Sequence, residues 1–121
     1  MPRAEHAHRV KSYSASTGYV YQYYFVETQK SRRGLHAGTD YVYMVAMDRG
    51  AAFPLRVFVR REAARQWSKK TGRELSGTEE YAAAKMRLFQ AFDEVEDLAT
   101  ARPDLTVDDS NLESLLSQLD L

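Results

Sequence analysis

The chain has 121 residues, no cysteine, and 17 basic residues balanced by 17 acidic ones. That length supports one domain around a single core, and the missing cysteines exclude a disulfide framework, a thiolate metal site and a thiol nucleophile. No apolar run approaches the ~20 residues of a membrane span, and MPRAEHAHRV carries no apolar signal core, so a cytoplasmic, soluble protein without a membrane partner is expected.

The charge is unevenly distributed. Residues 1–75 hold 14 basic and 6 acidic residues, whereas residues 76–121 hold 3 basic and 11 acidic ones. Such segregation suits an anionic partner, or an acidic C-terminal segment that lies over a basic surface.

In chain order, residues 1–7 read as a loose arm and His8–Ser14 as a short strand. A turn, Ala15-Ser16-Thr17-Gly18, leads into the strongest strand signal, Thr17–Thr28, rich in aromatic and β-branched residues. Strand alternation places Tyr19, Tyr21, Tyr23 and Phe25 on one face and Val20, Gln22, Tyr24 and Val26 on the other. His6 and His8 would share a face if the first strand began early, but no third metal ligand stands near them. Gln29–Thr39, with Lys30, Arg32, Arg33, His36 and two glycines, reads as a basic loop; it leads into a strand and so is not a phosphate-cradling loop before a helix. Asp40–Met47 and Phe53–Arg60 are the third and fourth strands, separated by the turn Asp48-Arg49-Gly50. Pro54 cannot donate to a ladder and belongs at a strand start or an edge.

From Arg61 the period changes. Ala63, Ala64 and Trp67 mark a helix stopped by Gly72, with Trp67 as a core anchor. Ser76-Gly77-Thr78-Glu79 forms a capping box for a long helix running to about Leu98, with Tyr81, Ala84, Leu88, Phe92, Val95 and Leu98 as its apolar stripe. Its far end, Asp93 to Asp97, sets acids against the negative pole of the helix dipole, a conflict that a basic surface would relieve. Beyond Pro103 the chain is acidic, and Leu112, Leu115, Leu116 and Leu119 fall on one face of a two-turn helix, too short to be stable alone.

These elements predict an α+β fold: a four-stranded antiparallel β-meander covered on one face by two helices (ββββαα), with a C-terminal amphipathic helical tail. The expected division is a domain over 1–100 and a linker with tail over 101–121. No catalytic or nucleotide motif stands out and no cofactor is expected. Glu27, His36 and Asp40 are of types that ligate divalent metals, but strand ends collect polar residues in any protein, and no metal is expected. The first functional expectation is a non-catalytic adaptor acting through protein–protein contact. Leu112, Leu115, Leu116 and Leu119 would dock on an unknown partner or on a second copy, giving a homodimer. The alternative is single-stranded nucleic-acid binding by a basic, aromatic-rich sheet, with Lys30, Arg32, Arg33, Arg56, Arg60 and Arg61 as phosphate contacts and the acidic tail as competitor. The order of four strands and a helix resembles that of PUR-repeat and Whirly-type single-strand binders, a likeness of element order without a shared motif.

Overall fold

The longest pairing in the fold joins β2 (Val20–Arg33) to β3 (His36–Met47). The computed structural model describes residues 9–119, and His6 and His8 lie outside them. Where a basic loop is expected over Gln29–Thr39, the two strands run on in register from Gln29↔Asp40 to Arg33↔His36. The turn is only Gly34-Leu35, with Gly34 at φ +62°, a conformation that glycine adopts without steric cost. The strand signal fades there because polar residues occupy both faces: Gln29, Ser31 and Arg33 on one, Thr28, Lys30 and Arg32 on the other. A bulge between Phe25 and Glu27 shifts the register and re-aims the hairpin.

β1 (Lys11–Ser14) adds antiparallel to the outer edge of β2, pairing only as far as Lys11↔Tyr23, and β4 (Phe53–Arg60) adds antiparallel to β3. The expected four-stranded meander is therefore present, but it is not the whole sheet. β5 (Leu105–Val107) pairs parallel to β4 through Val57↔Leu105 and Val59↔Val107, giving a five-stranded mixed sheet in the order β1-β2-β3-β4-β5. Pro54 stands on the stretch of β4 that β5 does not reach, where its missing donor costs nothing.

Among the described residues, four helices accompany the sheet. α1 (Arg61–Thr71) follows β4 without a loop and ends at Gly72, φ +79°. α2 (Gly77–Glu94) begins with the expected capping box: Ser76 Oγ accepts from Glu79 N at 3.1 Å and Glu79 Oε1 accepts from Ser76 N at 3.0 Å. Arg73 grips the same carboxylate with both terminal nitrogens, at 3.0 and 2.7 Å; this pairing and the Ser76 backbone hold the Glu79 carboxyl down at about 2. α2 stops at Glu94, short of the expected Leu98, and α3 (Leu98–Ala101) forms a separate turn. The acids at this junction are answered by neutral donors in place of a basic surface. Asp93 accepts from Tyr13 Oη at 2.7 Å and Ser16 N at 2.9 Å, and Asp97 accepts from Thr100 N at the start of α3. α4 (Leu112–Ser117) is the last element among the described residues.

All four helices contribute to one core on one face of the sheet. Tyr21, Tyr23, Tyr43, Val45, Leu55, Val57 and Val59 meet Ala83, Ala84, Leu88, Ala91 and Phe92 of α2, with Ala63, Leu98, Leu112 and Leu115 closing the ends. Tyr21 stacks on Phe92 with ring centroids 4.3 Å apart. No helix among the described residues is long and apolar enough to cross a membrane.

Candidate functional site

The structure takes the C-terminal leucines into the domain itself. Leu112, Leu115 and Leu116 are 2%, 0% and 5% exposed, and Leu119 packs partly buried against the same core. This corrects both the division at residue 100 and the reading of Leu112–Leu119 as an available docking face. The physical reason is β5. Leu105 and Val107 complete the sheet, and Asn111 then donates from Nδ2 to the Thr106 carbonyl at 2.9 Å, fixing α4 over α1 and α2. Outside the helix, Lys70 and Glu113 pair at 2.8 Å across a groove of about 460 Å³ between α1 and α4.

The six expected phosphate-contacting cations do not form one patch. Cross-strand register puts Arg33, Arg56 and Arg60 on the sheet face away from the helices. There Asp40, 5% exposed, is bound by Arg33 at 2.8 Å and approached by Arg56 at 3.8 Å. Arg56 also donates to Gln29 Oε1 at 2.8 Å, and Arg33 lies 4.7 Å over the ring of Phe58. Arg33 is further paired with Asp104 at 3.5 Å, and Arg60 meets His36 Nδ1 at 2.9 Å. This network covers Phe58 and holds the end of the β2–β3 hairpin, so much of its charge is already spent. Lys30 and Arg32 project from the opposite face of β2, and Arg61 starts α1. The Glu27, His36 and Asp40 trio does not converge, and the described residues contain no group of three metal-ligating side chains.

The tyrosine face is likewise enclosed. Tyr21, Tyr23, Tyr41 and Tyr43 are at most 5% exposed, which removes the stacking platform expected of a single-strand binder. Burial raises the pKa of all four, and Tyr41 is raised further by its hydrogen bond to Glu80. Tyr13, half-buried and bonded to Asp93, is pushed up to about 12 by desolvation and that hydrogen bond.

What remains accessible is the other face of the sheet. Its centre is a shallow depression of about 160 Å³ where Val10, Gln22, Tyr24, Met44, Ala46 and Ala52 meet. Val20 and Val26 stand beside it, 37% and 36% exposed. Strand alternation placed Tyr24 and Met44 on this face; which face the helices would leave open carries no signal in a strand pattern. No protein-family model matches this chain, no curated protein matches it, and no solved structure matches it.

Proposed function

We propose that this chain is a non-catalytic binding domain that recognises protein through the open face of its sheet. The observation that carries the reading is the asymmetry of that sheet. Four helices pack on one face, no described element covers the other, and the middle of the open face is apolar. An antiparallel sheet with one face in water ordinarily alternates apolar-in with polar-out. Here Val42, Met44 and Ala46 occupy the outward positions of β3. Val42 is buried and Met44 and Ala46 are half-buried, with exposed Val10 and Val20 beside them, and an apolar patch on an uncovered face marks an interaction surface. Glu27 and Arg56 stand on its margin with opposite charges, a rim able to orient a partner. The leucine face of α4 is given up as the docking element because its side chains support the core.

The test places a photo-crosslinking side chain at position 44 of the full-length protein, and a control at exposed position 94 on α2. Protein adducts from position 44 alone, to a second copy or to another chain, are expected. Equal adducts from both positions, or none from position 44, would dismiss the open face as an interface.

A further inference from the structure

At the edge of the sheet, β1 stops after four residues while β2 runs on for ten beyond Tyr23. The mismatch leaves a notch of about 240 Å³. Arg9, just before β1, Lys11 at its start and Lys85 on α2 supply three cations to its lining. Phe25 of β2 and Tyr81, one turn before Lys85 on α2, both half-buried, supply aromatic wall.

Some cations elsewhere on the molecule are paired with a carboxylate and others, Lys30, Arg61 and Arg65 among them, have none among the described residues; what sets this group apart is the crowding of Lys11 against Lys85. Arg33 has Asp40, Lys70 has Glu113 and Arg73 has Glu79. No carboxylate among the described residues lies within ion-pair distance of Arg9, Lys11 or Lys85. Lys85 is half-buried, and its pKa is lowered by that burial and by the neighbouring Lys11. Two ammonium groups facing one another beside a desolvating wall are unfavourable without an anion between them.

We propose that this notch binds a phosphate group bearing a planar ring, a nucleotide unit, with the phosphate between Lys11 and Lys85 and the ring against the aromatic wall. The chemistry fits on three counts. Ammonium groups attract phosphate as point charges, aromatic side chains stack on any base, and an edge notch lets a strand enter and leave. The volume is below the ~300–1,000 Å³ of pockets for drug-sized ligands, so the notch takes one nucleotide unit and excludes a dinucleotide. This site uses none of the six cations expected from sequence, and it stands independently of the open-face reading.

The experiment titrates the full-length protein with uridine monophosphate, with an oligothymidylate of about eight nucleotides, and with inorganic phosphate, between about 50 and 200 mM salt. Saturable binding of the mononucleotide or the oligonucleotide, tighter than that of inorganic phosphate, is expected. Equal affinity for both would identify a free nucleotide as the ligand, and binding of the oligonucleotide alone a single strand. Lys11→Gln with Lys85→Gln should weaken binding at least tenfold and, for the oligonucleotide, reduce the slope of log affinity against log salt by about 0.7 per lost phosphate contact. Lys85→Gln removes a crowded charge and should leave the unliganded Tm unchanged or higher, which separates lost binding from lost folding; exposed Lys11→Gln alone serves as a second variant. Binding no tighter than that of inorganic phosphate, no binding at low salt, or unchanged binding by the double variant would overturn the proposal.

Discussion

Replacing Leu115 by alanine tests whether α4 belongs to the domain. Leu115 is fully buried, and the start of its short helix is held by β5 through Asn111 and by α1 through Lys70 and Glu113. A site so anchored collapses poorly around a deletion, so both the transfer loss and the cavity loss apply. Leu→Ala changes of this kind cost about 2–5 kcal/mol; the restraints on α4 place the expected cost near ~3 kcal/mol. For a chain of this size each kcal/mol shifts Tm by about 4 °C, so a fall of about 12 °C is expected. Leu119→Ala, at the partly buried end, should lose less than half as much. Thermal melting by circular dichroism reads both variants, and a urea titration should show a lower midpoint with an unchanged slope. If Leu115→Ala melted within about 2 °C of the parent, α4 would not be part of the cooperative unit and the leucines would again be available to a partner.

Two further outcomes follow from the sheet and its tyrosines. A Cβ at Gly38 would stand 2.3 Å from the Val59 carbonyl oxygen and 2.7 Å from Phe58 Cζ, so Gly38→Ala must push β3 and β4 apart. A loss at or above the top of the ~1–3 kcal/mol usual for overpacking is expected in urea denaturation, and a midpoint equal to the parent's would refute the close approach. Tyr13, Tyr21, Tyr23, Tyr41 and Tyr43 have pKa values raised by burial. An acid whose folded pKa lies above its unfolded value near ~10 binds its proton more tightly when folded. Its stabilisation is complete below that value and is lost as pH rises through the folded pKa, so alkaline unfolding should begin above pH ~10 and proceed through Tyr13's value of about 12. Tyrosinate absorbance should rise late and together with the loss of circular dichroism; all eight tyrosines titrating near ~10 in a folded protein would contradict it.

Much of the architecture is legible where a residue has one physical use. Ser76 with Glu79, Gly72 and Pro54 each mark a boundary that only a few residue types can make, and alternation groups Tyr21, Tyr23 and Phe25 on one face of β2 without saying which face is the inner one. Three features escape for reasons that can be named. The β2–β3 hairpin beyond Thr28 has polar residues on both faces, so its period is invisible. β5 is three residues long and gains its identity only from lying beside Val57 and Val59. The spacing of Leu112, Leu115 and Leu116 specifies an apolar face without specifying whose surface covers it. The edge notch is harder still, since it joins Lys11 to Lys85 across most of the chain, and only the unequal lengths of β1 and β2 create it.

The parallel pairing of β5 with β4 has a kinetic consequence. β1 to β4 are joined by short connections and can zip as successive hairpins, whereas Leu105 reaches Val57 only after α1, α2 and α3 have been laid between them. Closing so large a loop costs entropy before any contact rewards it. β5 and α4 should therefore dock last in refolding, with Leu105, Val107 and Leu115 contributing little to the transition state. Until they do, the β4 flank from Val57 to Val59 is an uncovered apolar strand edge, the kind that pairs with other chains. Aggregation during refolding should thus rise with protein concentration and fall in any variant that speeds the arrival of β5.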